Sequence, residues 1–238
     1  MKAQYLHDWE MAPDQAKQIQ RDLAAMVSRR NEVGDIFLVA GVDISAPNPE
    51  GFARAAVTVL SYPELELKET EIIEQRVTFP YVPGLLSFRE SPLILAVCEK
   101  LDSEPDLILV DGQGIAHPRR LGLASHLGLL WDKPTIGCAK SRLCGNHQLV
   151  PPVFGSYAEI IDNGEVIGAA LRTKQGATPI YVSIGHKVDL EAAISWVLGC
   201  CRGLRLPEPT RLAHLAAGGR LKPTGAEQTP SQLELKLF

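Results

Sequence analysis

Two short apolar runs constrain this chain more than any other feature. Residues 36–45 (IFLVAGVDIS) and 106–112 (DLILVDG) are rich in β-formers and nearly free of polar side chains. Apolar runs of that length without alternation read as strands buried on both faces. Such strands need helices on either side, which directs the chain toward an α/β architecture. Each run also carries an acid near its carboxyl end, Asp43 and Asp111. A carboxylate in an apolar strand is costly unless something pairs with it.

The surrounding pattern extends this reading. Residues 13–30 show apolar side chains at helical spacing. Residues 53–62 and 66–79 read as two more strands, so three strands follow one another as an antiparallel meander. A helix is expected at 87–101, where Ser87 and Glu90 have the S-x-x-E spacing of a capping box. A helix at 118–130, strands at 134–140, 166–171 and 180–184, and helices at 190–201 and 207–217 complete the pattern. The expected fold is a mixed sheet, meander first and parallel strands after, with helices on both faces. Residues 1–217 are expected to form one domain, and 218–238, rich in Gly, Pro, Thr and Gln, a disordered tail.

Composition excludes some classes of function. Twenty-four Lys and Arg against 28 Asp and Glu give a net charge of −4, which rules out a general polycation. Charge is nevertheless uneven. Residues 112–150 hold Arg119, Arg120, Lys133, Lys140 and Arg142 against Asp132 alone, a net +4 that leaves −8 for the rest. That is the footprint of a phosphate-tracking groove, with His117, Arg119, Arg120 and Arg142 as donors and both Arg119 and Arg120 at the start of a helix. No apolar run approaches the roughly 20 residues that span a bilayer. Five cysteines without a C-x-x-C point to free thiols and a cytoplasmic location.

Glu90, in the first turn of the helix expected between the two acid-bearing strands, supplies a third carboxylate. A divalent cation shared by Asp43, Glu90 and Asp111 would offset their burial, and oxygen donors without His/Cys spacing favour Mg²⁺, with Mn²⁺ as substitute. Taken singly, each acid also fits a plainer role: Glu90 in the capping box, Asp43 and Asp111 in turns.

Longer motifs carry a resemblance. VAGVDIS (39–45), FPYVPGLLSFRE (79–90), DLILVDGQGIAHPRRLGLASHLGLL (106–130), PTIGCAKSRLCG (134–145) and RLPEPTRLAH (205–214) resemble endonuclease V, within the ribonuclease H-like superfamily. The resemblance implies a DNA repair enzyme that hydrolyses a phosphodiester one nucleotide 3′ of deoxyinosine, using Mg²⁺ and leaving 3′-hydroxyl and 5′-phosphate ends. By motif match Asp43, Glu90 and Asp111 are its metal ligands, Lys140 its active-site lysine, and His214 a further residue beside the metals. The alternatives are an inosine-specific endoribonuclease and a lesion-binding protein that does not cut. The intact acids argue against the second.

The same resemblance casts Pro80, Tyr81, Val82 and Pro83 as a wedge that separates strands. Gly84, Gly112, Gly114 and Gly122 lie beside the acids in sequence and are read as a lesion pocket, since glycine lets backbone approach a base closely. The C-terminal QLELKLF resembles the bacterial sliding-clamp binding peptide, through Gln232, Leu235, Leu237 and Phe238. The expected working form is a monomer with damaged DNA as partner and no membrane.

Overall fold

The computed structural model describes residues 1–224. Its centre is one eight-stranded mixed sheet in the order β3-β2-β1-β4-β5-β8-β7-β6. Strands β1 (Leu38–Ile44), β2 (Phe52–Ser61) and β3 (Leu67–Arg76) form the expected antiparallel meander. After helix α2 (Leu86–Cys98) the chain returns as β4 (Leu107–Val110), parallel to β1. Helix α3 (Leu123–Trp131) then leads to β5 (Thr135–Ala139), parallel to β4. Strands β6 (Tyr157–Asp162), β7 (Glu165–Leu171) and β8 (Ile180–His186) extend the sheet in antiparallel fashion. Helix α1 (Pro13–Ala24) precedes β1, and α4 (Leu190–Gly199) and α5 (Glu208–Ala217) close the fold.

Successive residues of β1 and β4 feed two different cores, which explains their unbroken apolar character. Ala40, Val42, Ile108 and Val110 pack with Ile94 and Val97 of α2 and Leu127 of α3. Val39, Leu107 and Leu109 pack with Ala193 and Val197 of α4 and with Leu23 of α1. Helices therefore cover both faces, as expected.

Several local expectations are corrected. Helix α1 stops at Ala24 because the chain beyond it bonds to the end of β8 instead: Lys187 N–H donates to Ser28 O and Ser28 N–H to His186 Nδ1. The capping box at Ser87 does not form. Helix α2 starts after Leu85 without a side-chain cap, and the Ser87 hydroxyl is buried inside the helix without a partner. Arg119 and Arg120 do not begin α3, which starts four and three residues later; they lie in the preceding turn, where Arg120 adopts a left-handed φ of 56°. Strand β6 was not anticipated. It is an edge strand with one buried residue, Ile160, so its pattern is mostly that of a solvated surface.

Helix α5 approaches the sheet unusually closely. A Cβ on Gly41 would overlap the Pro209 carbonyl, and Thr58 Oγ1 donates to that same carbonyl at 3.0 Å. Ala56, Ala216 and Ala217 form the small-residue contact further along. Past α5 the chain stays on the sheet: Leu221 packs on this contact and Thr224 N–H donates to Thr70 O of β3. Residues 232–238, with the clamp-like motif, lie outside the described residues. Among the described residues no helix is long and apolar enough to cross a membrane.

Candidate active site

The three parallel strands deliver three functional side chains to one edge. Asp43 is the penultimate residue of β1, Asp111 follows β4 directly, and Lys140 follows β5 directly. Carboxyl ends of adjacent parallel strands are where α/β sheets place ligands. The Lys140 ammonium contacts Asp111 Oδ2 and lies 3.8 Å from Asp43 Oδ2. From α5, His214 Nδ1 stands 2.7 Å from Asp43 Oδ2 and 3.2 Å from Lys140 Nζ. The close seating of α5 on Gly41 sets this approach, because Gly41 and Asp43 point to the same side of β1.

Glu90 reaches the cluster from α2. Burial, with the charges of Asp43 and then Asp111, raises its pKa to about 8. Asp111 is raised to about 6, by burial and Asp43, against the lowering pull of Lys140 and His214. One lysine therefore does not balance the acids, and the cluster favours further positive charge. The tightest group is Asp43, Asp111 and His214, whose ligand atoms lie within 4.8 Å of one another. Two carboxylates and an imidazole fit a divalent cation. Glu90 stands outside that tightest group, so His214 has a stronger claim by proximity, and Glu90 a weaker one, than the spacing of the acids suggested.

A cavity of about 430 Å³ opens beside the cluster and shares Asp111 and Lys140 with it. Tyr81, Val82, Pro83 and Gly84 line it from the wedge segment, and Gly112 and Gly122 line it from the stretch between β4 and α3. Phe79 and Leu85 are buried and anchor the ends of the wedge loop, while Tyr81 between them is 75% exposed. Tyr81 is thus a free tip and not a core side chain. Three of the four pocket glycines line the cavity. Gly114 does not: it is buried against the Ile184 carbonyl of β8.

The basic segment is more committed than its charge count implied. Arg120, with a side chain only 17% exposed, pairs with Asp162 at 2.8 Å and Glu165 at 2.6 Å, so it serves the β6–β7 hairpin and not phosphate. Arg119 donates to Gly84 O at 2.8 Å and to Gln20 Oε1 at 2.5 Å. His117 is buried and its pKa falls to about 4, from desolvation and the nearby Arg119 charge. Its ring hydrogen is given to the Gly84 carbonyl and is therefore not free to donate to phosphate, contrary to the expectation from sequence. Arg142 is exposed, bonded to Gly145 O and to Asn146 Oδ1 at 2.8 Å, and remains available. Among the polar cavity residues, Gln20, Arg89, Gln113 and Ser141 were not singled out from sequence. Arg89 carried no distinguishing signal; Gln20 did, as a polar residue on the buried stripe of α1 between Ala16 and Leu23.

Acids and a lysine at the edge of a mixed sheet, beside a cavity able to take a base, define a hydrolase of the nuclease class. The endonuclease V family model matches residues 21–215. An endonuclease V from Dehalococcoides mccartyi is 53% identical over 217 residues, covering 91% of this chain and 97% of that protein. The Bacillus subtilis endonuclease V structure superposes with a TM-score of 0.88 at 33% identity, covering 92% of this chain and 96% of that one. A Ciona intestinalis endonuclease V structure, in complex with a 23-mer DNA containing an inosine followed by a ribo-adenosine, gives 0.73 at 29% identity over 88% of this chain and 98% of that one. The chain belongs to the endonuclease V family.

Proposed function

We propose that this chain is a DNA repair endonuclease that nicks one nucleotide 3′ of deoxyinosine and leaves 3′-hydroxyl and 5′-phosphate ends. The observation that carries this reading is the cavity of about 430 Å³ adjoining the acid cluster, with Asp111 and Lys140 common to both. The Ciona relative bound to inosine-containing DNA supports it.

Tyr81 stands at an exposed loop tip held by two buried anchors, which suits insertion into a base step. A base turned out by that wedge meets the backbone of Gly84, Gly112 and Gly122. Backbone there can donate to the six-oxygen of hypoxanthine and accept from its N1–H. Lys140 holds positive charge beside the scissile phosphate. His214 is held at that edge by its Nδ1, 2.7 Å from Asp43 Oδ2. Mg²⁺, or Mn²⁺ in its place, held by Asp43, Asp111 and His214 with Glu90 behind, would supply Lewis-acid polarisation and a water of lowered pKa. Water adds at phosphorus and the P–O3′ bond breaks, so the leaving oxygen takes up a proton.

One chain supplies the acids, the lysine and the cavity, which supports a monomer. Five unpaired thiols support a reducing, cytoplasmic setting. Gln232, Leu235, Leu237 and Phe238 are read as a clamp-binding peptide; deletion of 232–238 should abolish binding to purified sliding clamp without affecting nicking. The main test uses matched strands with deoxyinosine, deoxyadenosine or, in RNA, inosine, each with Mg²⁺ or EDTA. Cutting of the deoxyinosine strand in Mg²⁺ alone is expected. Cleavage of RNA alone would transfer the assignment to an endoribonuclease, and binding without cutting on every strand would overturn it.

A further inference from the structure

Gln20 is a fully buried polar side chain engaged in three hydrogen bonds. It sits on α1 and borders the cavity. Its amide nitrogen donates to Gly84 O at 2.9 Å and to Leu121 O at 3.1 Å. Its oxygen accepts from Arg119 Nε at 2.5 Å. Both amide hydrogens and one oxygen lone pair are therefore used within the protein.

The two carbonyls belong to two different segments beside the cavity, the wedge turn and the turn before α3. Gly84 closes the wedge turn, in which Leu85 N–H donates to Val82 O at 2.9 Å. Leu121 precedes Gly122, whose N–H donates to Gly114 O at 2.9 Å in the turn before α3. The Gly84 carbonyl also accepts from Arg119 Nη2 at 2.8 Å and His117 Nε2 at 3.0 Å. His117 Nδ1 accepts from the Arg119 N–H, so Nε2 carries the hydrogen. Three donors thus converge on one carbonyl. Gly84 itself is at φ +79°, and a Cβ there would come within 2.6 Å of Arg119 Nη2. This turn cannot move without disturbing all three.

We propose that Gln20 is a positioning residue that fixes the separation of the two glycine-bearing segments, and thereby the discrimination of the flipped base. It is fully buried and has no free donor to offer substrate, so it acts through the carbonyls it holds. It lies one residue before the stretch that the family model matches, 21–215. The inference rests on the base-pocket reading above and specifies which residue sets that pocket's width.

Gln20→Met keeps the length and removes every hydrogen bond. Gln20→Glu keeps the acceptor for Arg119 but turns a carboxylate toward two carbonyls. Single-turnover cutting over a range of enzyme concentration, on deoxyinosine and deoxyadenosine strands, separates maximal rate from half-saturation. The expected result is a fall of about tenfold or more in the preference for deoxyinosine. The Mg²⁺ midpoint should stay within about twofold of wild type, because the acid cluster is untouched. General structural damage would lower both strands together and leave the preference intact. If Gln20→Met does not fold, Gln20→Glu and Arg119→Met perturb the same node and are read identically. A folded variant whose preference stays within about twofold of wild type overturns the inference. Equal cutting of both strands by the wild-type protein would instead overturn the base-pocket reading beneath it.

Discussion

Replacing Glu90 by Gln should stabilise the metal-free protein while abolishing its chemistry. Burial beside Asp43 and Asp111 moves Glu90 from an ordinary 4.5 to about 8. An acid whose folded pKa is raised favours folding only while it is protonated. Its contribution is complete below the unfolded pKa near 4.5 and is lost as pH rises through the folded value near 8. At about pH 7.5 the folded state has already forgone on the order of 4 kcal/mol relative to the unfolded chain, against about 1 kcal/mol at pH 5.5. Glutamine has no proton to lose and escapes this cost. For a domain of this size each kcal/mol is worth roughly 2–4 °C, so a rise of roughly 8–16 °C is expected near pH 7.5 and of only roughly 2–4 °C near pH 5.5. The assay is thermal unfolding in EDTA across that range. Mg²⁺ should then reverse the order, since it stabilises the wild-type cluster by binding the folded form. Parallel stability–pH curves for the two proteins in EDTA would refute the reasoning, because they would mean that Glu90 is not strained by its neighbours.

Three further outcomes follow from the same geometry. Metal binding should release protons: Asp111 at about 6 and Glu90 at about 8 both hold protons that a cation displaces, so apparent Mg²⁺ affinity rises from pH 6 to 8. Calorimetric titration in two buffers of different ionisation enthalpy measures this, and no proton release near pH 7 would count against it. Gly41→Ala places a Cβ within 2.6 Å of Thr210 N and onto the Pro209 carbonyl, backbone atoms that cannot yield. It should cost roughly 1–3 kcal/mol and displace His214, read as a lowered melting temperature with nicking reduced more than DNA binding. Tyr81→Ala, at a side chain 75% exposed, should change stability by less than about 0.5 kcal/mol yet slow nicking of duplex far more than of single strands.

The parts of the fold legible from sequence were those where one pattern had one physical cause. Strands β1 and β4 are buried on both sides, and their unbroken apolar runs said so. Asp43 and Asp111 stood out as the acids in those runs. Edge and terminus effects were less visible. Strand β6 shows one buried residue, although the Asn163-Gly164 turn after it, with both residues at positive φ, carries a strong hairpin signature. Helix α1 ended early because β8 offered Ser28 better partners than the next helical turn did. Ser87 and Glu90 matched a capping box in spacing alone; the strand acids set the electrostatics around Glu90, and a spacing rule cannot see them.

Charge is where counting residues and reading contacts diverge most. Five cations in residues 112–150 suggested a phosphate groove. In the fold Arg120 answers Asp162 and Glu165, Lys133 answers Glu104, Lys140 answers Asp111, and Arg119 is turned onto a carbonyl. Of the five, Arg142 alone is exposed without an acidic partner among the described residues. A groove assembled from five phosphate contacts would lose affinity steeply with salt. A site that holds its cations for internal use should show a shallow slope, of about one or two counterions. Binding of a deoxyinosine strand measured from low to high salt decides between them: a slope near five would restore the groove, and a shallow one means that the wedge and the base cavity carry the recognition.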